Sequence, residues 1–279
     1  MIIDTHQHFW RLDRGDYSFP SPSDPVLYRD FLPADFAPEM AATGVTASIA
    51  VQATESLAET EYLLELAGKY QGIAGVVGWC NLAAPDADAQ IARFLTRGPL
   101  VGIRPMLQKA DDATWLLSSP ARDNVAQVVD RGLVFEALID VRHLAVIDQL
   151  AAGHPHLCIV IDHMAKPWRH PDRLADWQDG MAALARRDNC LVKISGYPFG
   201  TAAGQGLSYA ALLDAVQHWF GVERMIWGSD WPVMLRGTDY RSGLAAARRA
   251  LPSSAHSRIF AGNAIEAFGL KLGSEPVGS

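Results

Sequence analysis

Two histidines stand two residues apart near the start of the chain, in the stretch DTHQHFW. Side chains two apart in a β-strand leave the same face, so the imidazoles of His6 and His8 would point at one place. Two neutral imidazoles together with one carboxylate form half of a typical zinc or manganese site. Ordinary polar residues on an exposed strand edge are the alternative, although the residues beside the pair are apolar.

Short apolar segments with strand character alternate along the chain with amphipathic stretches of helical periodicity. The strand-like segments are residues 2–8, 47–53, 73–79, 100–106, 133–139, 157–163, 190–196 and 224–230, and helices are expected at 55–70, 120–132, 143–153 and 209–221. This order predicts an α/β fold, a (β/α)8 TIM barrel of a single domain over residues 1–270. A doubly wound open sheet is the alternative, but no glycine-rich phosphate-binding motif follows a strand.

One long segment interrupts this alternation. Residues 11–33 carry four prolines and no periodicity, which predicts a long loop after the first strand. Its four aromatic residues favour a lid packed on the barrel. At the other end of the chain, residues 271–279 are expected to form a flexible tail.

Polar residues stand at the ends of most of the predicted strands. The active site of a (β/α)8 enzyme forms at the carboxyl ends of its strands, so this distribution predicts a catalytic face. Asp230 ends the eighth strand, beside the first strand in a closed barrel, and would complete the site of His6 and His8. His163 would be a further metal ligand or a group that polarises the substrate. Asp162 is expected to point away from it, into the barrel wall, where it would cap a helix or form a salt bridge.

Three other strand residues allow two roles each. Glu136 would be a metal ligand or a buried hydrogen-bond partner, and Lys193 has the same ambiguity. Arg104 would be an anchor for the substrate or part of an ion pair inside the barrel. Buried polar groups without partners are costly, so these positions indicate a functional centre rather than core packing.

Tryptophan is abundant, with eight in the chain, and four of them stand at or just after strand ends: Trp10, Trp79, Trp168 and Trp231. Such residues would form an aromatic-walled pocket suited to a sugar or another flat ring. Packing in the core is the alternative for any one of them.

The composition excludes several classes of partner. The net charge of −7 and a pI near 5.7 argue against nucleic acid or an anionic membrane surface. The three cysteines are far apart and odd in number, which is typical of a reduced compartment and not of a disulfide framework or a thiolate zinc site. No basic and apolar leader precedes Ile2, and no apolar run approaches the ~18 residues needed to cross a bilayer. We therefore expect a cytoplasmic protein.

Four motifs, taken in order, resemble those of the amidohydrolase superfamily: DTHQHFW at 4–10, VIDHMAKP at 160–167, KISG at 193–196 and WGSDWP at 227–232. The set is most similar to the amidohydrolase-2 branch, which contains sugar lactonases. GIRPMLQ at 102–108 is similar to a strand motif of that group, with Pro105 where histidine is usual. IFAGNAIEAFGL at 259–270 is similar to its closing helix, so the resemblance spans nearly the whole chain.

The resemblance implies a distorted (β/α)8 barrel that hydrolyses a cyclic ester in carbohydrate catabolism. Asp230 would be the general base that takes a proton from water. His6, His8 and His163 would polarise the lactone carbonyl. These four residues would also be the provisional ligands of one divalent metal, with zinc preferred, although some lactonases of this branch work without metal.

The same resemblance implies a small-molecule substrate and no nucleic-acid or membrane partner, for a monomer or homodimer. Arg104 and Lys166 would hydrogen-bond the hydroxyls or the ring ester. The aromatic residues expected beside the substrate are Trp10, Trp231 and Tyr28. A binuclear metal site is not expected, because the predicted fourth strand offers Arg104 in place of lysine or glutamate and the fifth has no histidine.

The scarcity of cations at the strand ends favours a neutral aldonolactone of the L-fucono or L-rhamnono type, because each buried carboxylate of a charged substrate would need pairing. A dicarboxylate lactone of the pyrone or muconolactone type is the first alternative. A metal-dependent decarboxylase of the same superfamily is another, and it would be expected to use a histidine on the fifth strand. A non-catalytic ligand-binding barrel is the alternative from outside the enzymes.

Overall fold

The computed structural model describes residues 1–110, 112–204 and 206–272, so residues 273–279 of the predicted tail lie outside the described residues. One sheet of eight parallel strands forms its centre, and the spatial order of the strands follows their order in the chain. The strands are β1 Ile2–Gln7, β2 Val45–Val51, β3 Ile73–Gly78, β4 Leu100–Ile103, β5 Val134–Ala137, β6 Ile159–Ile161, β7 Cys190–Ile194 and β8 Met225–Trp227. Each overlaps one predicted segment, and the (β/α)8 barrel is confirmed.

Helices follow the strands and surround the sheet. In the described residues they are α1 Pro33–Thr43, α2 Leu57–Lys69, α3 Ala87–Leu95, α4 Ala121–Asp130, α5 Leu144–Gly153, α6 Leu174–Ala185, α7 Tyr209–Phe220, α8 Tyr240–Ala250 and α9 Asn263–Phe268. The expected closing helix consists of a π-helical turn, Arg258–Gly262, that leads into α9. In the part of the chain that the structure describes, no helix combines the length and the apolar character that a membrane span requires.

The interior of the barrel changes character along its axis. Towards the amino-terminal ends of the strands, the barrel is filled by apolar side chains from six strands: Ile3, Ile49, Val77, Val134, Val160 and Ile226. Phe268 and Leu270 pack against this cluster. Alternation along the strands then brings charged residues inward one step later, because Glu136 lies two residues after Val134 and Asp162 two residues after Val160. The lumen is therefore apolar at one end and charged at the carboxyl ends of the strands.

The barrel closes at the seam between β8 and β1, where ladder pairing is reduced to one isolated bridge between Gln7 and Trp231. The buried carboxylate of Asp4 holds this seam. It accepts hydrogen bonds from the backbone N–H groups of His6 (3.2 Å) and Ser229 (2.8 Å). It also accepts from the Gln7 amide (3.0 Å) and the Tyr240 hydroxyl (2.9 Å), so one side chain joins both strands to α8.

The segment 11–33, which follows β1, packs against the loop after β2 and the start of α2. An isolated antiparallel bridge pairs Trp10 with Phe31 at its two ends. Near its middle, the Tyr17 hydroxyl donates to the buried carboxylate of Glu59 at 2.5 Å. The backbone N–H of Ala53 donates to the other oxygen of that carboxylate at 3.2 Å. Glu59 in α2 therefore fastens the long loop to the barrel.

The fastening by Glu59 has a dependence on pH that can be measured. Burial raises the pKa of Glu59 to about 7, and its hydrogen bonds with Tyr17 and Ala53 oppose that rise. The folded state then keeps a proton that the unfolded state loses above a pH of about 4.5. The contribution of Glu59 to stability is complete below that pH and falls as the pH rises towards 7.

We expect Glu59→Gln to gain stability relative to the parent protein as the pH rises from 5 to 8, because the amide never ionises, its oxygen accepts from the Ala53 N–H, and its NH2 group donates to the Tyr17 hydroxyl oxygen. Thermal denaturation of the two proteins across this range measures the change. Glu65→Gln, an exposed site on the same helix, should show no such trend. A difference in Tm that is equal at both pH values would contradict the assignment.

Candidate active site

Three predicted site residues meet at the β1–β8 seam. The rings of His6 and His8 lie with centroids 5.0 Å apart. Asp230 Oδ1 lies 3.6 Å from His6 Nε2 and 3.3 Å from His8 Nε2. All three residues are buried. The structure thus brings the histidine pair of β1 and the aspartate after β8 to one point.

The hydrogen bonds of His8 determine what can lie between it and Asp230. His8 Nδ1 is 2.8 Å from the carbonyl oxygen of Val51, which can only accept, so Nδ1 carries a proton. A neutral His8 then presents a lone pair at Nε2 to a carboxylate oxygen that is also an acceptor. A cation must therefore separate the two atoms, either a second proton on His8 or a metal ion.

The backbone directs Asp230 into the site. Its φ of +64° lies in the left-handed region, and its N–H donates to the carbonyl of His6 at 2.9 Å. Burial alone would raise the pKa of Asp230, but the imidazoles of His163, His8 and His6 hold it below the usual range. Asp230 is therefore an ionised carboxylate at neutral pH.

A run of unusual backbone positions follows β6. His163, Met164, Ala165 and Lys166 all have φ between +50° and +55°, which costs a residue other than glycine about 1–2 kcal/mol. This turn reverses the alternation of the strand and brings His163 to the same side as Asp162. The expectation that Asp162 points into the barrel wall is wrong, because Asp162 keeps the inward direction of Val160.

The two residues that follow β7, Ser195 and Gly196, fix the ring of His163. Its Nδ1 is 2.8 Å from the hydroxyl of Ser195, so Nε2 is the ring nitrogen that remains available on the opposite edge, and the ring lies 4.5 Å from that of His6 between centroids. A Cβ atom at Gly196 would lie 2.4 Å from His163 Nδ1, so only glycine leaves room for the ring there. Burial lowers the pKa of His163 to about 3, so this imidazole is neutral.

An ion-pair network lies beneath the histidines, and Asp162 is its central acceptor. Asp162 Oδ2 accepts from Arg104 Nη1 at 3.1 Å. Asp162 Oδ1 lies 3.2 Å from Lys193 Nζ and 3.5 Å from His6 Nδ1. Of the two roles predicted for Arg104, the structure shows the ion pair inside the barrel. Burial raises the pKa of Asp162, but Lys193, His6 and Arg104 together hold it well below the usual range.

Glu136 and Lys193 form the deepest part of this network. Their side chains make a buried ion pair, and neither is exposed. Lys193 Nζ also lies 3.2 Å from His6 Nδ1. Burial and the charge of Asp162 raise the pKa of Glu136 to about 7, against the effect of Lys193. Glu136 is thus the buried hydrogen-bond partner of the two roles predicted for it.

The aromatic residues expected beside the substrate lie on the loop 11–33 or beneath it. Trp10 is 0% exposed and packs edge-on against Phe31, and Trp231 is 3% exposed in the same layer. Neither offers an open stacking face, because the loop 11–33 covers them. Trp10 lies behind His8 and shapes the site from that side. Tyr28 is 45% exposed on the loop.

Lys166 and two residues that the sequence reasoning missed complete the surroundings of the site. Lys166 donates to the side-chain oxygen of Gln108, and Arg169 Nη1 lies 3.4 Å from the same atom. Gln108 is the last residue of the GIRPMLQ motif, which was the one available signal for it. Arg169 follows the VIDHMAKP motif and carried no signal of its own.

Two groups of the described residues have the geometry of metal ligands. Their candidate ligand atoms form two triads that share His6: one with His8 and Asp230, the other with Asp162 and His163. Separations of 3.3 and 3.6 Å match the roughly 3.3 Å between ligand atoms at tetrahedral Zn–N distances. The first triad therefore fits one divalent ion. His163 belongs to the other triad, so the four provisional ligands do not form a single cluster.

Comparison with known proteins agrees with this geometry. A model of the family described as Amidohydrolase matches residues 3–270. An L-fucono-1,5-lactonase of Burkholderia ambifaria is 39% identical over 94% of this chain and 93% of its own length. A second L-fucono-1,5-lactonase, from Burkholderia multivorans, is 34% identical, and the match covers 96% of each chain.

The solved structures include an amidohydrolase from Burkholderia multivorans with bound zinc. It superposes with a TM-score of 0.89 at 33% identity and covers 97% of this chain and 100% of its own. The likeness thus extends from single motifs to nearly the whole chain. The chain belongs to the amidohydrolase family, in its amidohydrolase-2 branch.

Proposed function

We propose that the protein hydrolyses a neutral aldonolactone of the L-fucono type to its aldonic acid, as an enzyme of carbohydrate catabolism. The observation that carries the proposal is the meeting of an ionised Asp230 with His6 and His8 at the carboxyl ends of the strands. The two L-fucono-1,5-lactonases similar over nearly the whole chain support the substrate class. An L-rhamnono-type lactone shares the same ester chemistry.

Asp230 acts as general base in this proposal. It takes a proton from the attacking water while the oxygen adds to the lactone carbonyl. The neutral His163, fixed by Ser195, directs Nε2 at the developing oxyanion and polarises the carbonyl together with His6 and His8. Collapse of the adduct breaks the ring C–O bond, and the leaving ring oxygen takes the proton back from Asp230, so that one open chain carries a carboxylic acid and a hydroxyl group.

The lining residues orient the lactone. Lys166 and Arg104 are proposed to hydrogen-bond the hydroxyls or ring ester, Lys166 from the rim and Arg104 from its ion pair with Asp162. The loop 11–33, with Tyr28 exposed on it, is proposed as the lid of a single domain. Trp10 and Trp231 support that loop from inside.

One divalent metal, zinc in first place, is proposed to be held by His6, His8 and Asp230, with His163 close by. A bound metal would polarise the carbonyl as a Lewis acid. The pair of facing acceptors on His8 and Asp230 supports this assignment, because a cation must lie between them. Hydrolysis without metal is the alternative, because the lactone ester is an activated electrophile. Arg104 and Lys193 also place positive charge around His6.

A lactone screen with a pH indicator tests the substrate class. We expect turnover of neutral 1,5-aldonolactones, because Arg104 and Lys193 in the barrel centre are already paired with buried carboxylates and are not free to bind two substrate carboxylates. Hydrolysis confined to pyrone- or muconolactone-type dicarboxylates would contradict the choice of a neutral sugar.

We expect Asp230→Asn to lower kcat by about 10²–10⁴-fold, the usual contribution of a general base, without loss of the fold. Asparagine tolerates the left-handed backbone that this position requires. Steady-state kinetics and thermal denaturation measure the two effects. Asp172→Asn, an exposed site, is the matched control. Unchanged turnover in Asp230→Asn would remove the proposed base, and a protein with no turnover to lose would be a ligand-binding barrel.

We expect His8→Ala to lose bound zinc, because it removes one of three ligand atoms and the lone pair facing Asp230. Elemental analysis of protein purified without chelator gives the metal content. His256→Ala, which changes a histidine far along the chain, should keep the parent's content. Equal zinc in both variants would contradict the assigned ligands, and full activity of metal-free parent protein would leave the histidines as hydrogen-bond donors.

A further inference from the structure

Two cations share one neutral oxygen at the rim of the candidate active site. The ammonium of Lys166 and Nη1 of Arg169 both donate to Oε1 of Gln108. Within residues 1–110, 112–204 and 206–272, neither cation forms an ion pair with a carboxylate. An amide oxygen is a weaker partner than a carboxylate for either group, so the pair offers unused charge-assisted hydrogen bonds.

The backbone holds these three residues in place. Lys166 ends the left-handed run that begins at His163, and its N–H donates to the carbonyl of His163 at 2.9 Å. One short turn later, the N–H of Arg169 donates to the carbonyl of Lys166 at 3.0 Å. The N–H of Gln108 donates to Leu138 at 2.9 Å. The strained turn that orients His163 therefore also aims Lys166.

This cluster lies next to the reacting centre, because Lys166 is joined to His163 by a backbone hydrogen bond. Burial and the charge of Arg169 together lower the pKa of Lys166 to about 8, and the charge of Asp230 opposes both. The reaction proposed above converts a neutral ester into a carboxylate beside Asp230, which is itself ionised. The new carboxylate and that of Asp230 carry like charges and repel each other, so a cationic position next to the site would draw the new carboxylate away.

We propose that Lys166, Arg169 and Gln108 form a binding site for the carboxylate of the ring-opened aldonate product. This inference rests on the proposed function. It adds a residue, Arg169, that distinguishes the charged product from the neutral substrate. The guanidinium and ammonium pair with the carboxylate oxygens, and the amide of Gln108 donates once its oxygen is released. A neutral lactone lacks the charge that this cluster recognises, so Arg169 contributes more to the affinity for product.

Product inhibition tests the site in the full-length protein. Initial rates of lactone hydrolysis, with added aldonate, give KM for the lactone and Ki for the product. We expect Arg169→Gln to raise the ratio Ki/KM roughly fivefold to tenfold, the usual range for one charge-assisted pair near a surface. Arg173→Gln, which removes an exposed arginine paired with Asp176 nearby, should leave both constants unchanged.

Gln108→Glu provides a second and independent variant. Its carboxylate would occupy the position that we assign to the product, so Ki should rise at least as much, while pairing with both cations preserves the fold. A ratio Ki/KM equal to that of the parent in Arg169→Gln would overturn the site. The site would also be overturned if Arg169→Gln raised KM for a carboxylated lactone and left Ki for the aldonate unaltered, because the cations would then bind the substrate. Absence of lactone turnover in the parent would instead refute the proposed function.

Discussion

The carboxylate of Asp162 is the charge around which the barrel interior is arranged. It is fully buried and has Arg104, Lys193 and the ring of His6 around it. An isolated charge at such depth would be too costly to keep, so each partner requires the others. Lys193 in turn needs Glu136, and Arg104 is also tied to the backbone of Gln52. Removal of one member would leave uncompensated charge beneath the histidines, and for that reason the network fixes where His6 can lie.

Local backbone strain performs the second step of organisation. Regular strands deliver every other side chain to the lumen, so a strand end can supply Asp162 or His163 but not both. The left-handed run after β6 removes that limit and supplies both, together with Lys166. Asp230 has the same kind of backbone after β8. Strain of this size persists where the surroundings determine it, and here Gly196, Ser195 and the His6 carbonyl do so.

The sequence reasoning succeeded where the chain forms regular strands and failed where the backbone departs from them. The alternation of apolar segments was sufficient for the eight strands, and the spacing of His6 and His8 was sufficient for their convergence. Asp162 was assigned to the wall because alternation was applied from His163, the residue that departs from it. The burial of Trp10 could not be read from composition, since it depends on how the loop 11–33 folds back. Asp4 precedes the histidine pair by two residues, but a register shift in β1 sends it outward to Ser229 and Tyr240.

These features together explain why one site can hold a cation and still serve lactone chemistry. The proton on His8 Nδ1, fixed by Val51, leaves a lone pair facing Asp230. Lys193 lies at Nδ1 of His6, and Arg104 lies at Nε2, the atom that also faces Asp230, so this ring is in a positive environment. The site thus separates an electron-rich edge of His8 and Asp230 from a cation-rich floor. In the proposed mechanism, Asp230 would deprotonate water at the first, and His163 and His6 would stabilise the carbonyl oxygen above the second, which is the polarity that addition to an ester requires.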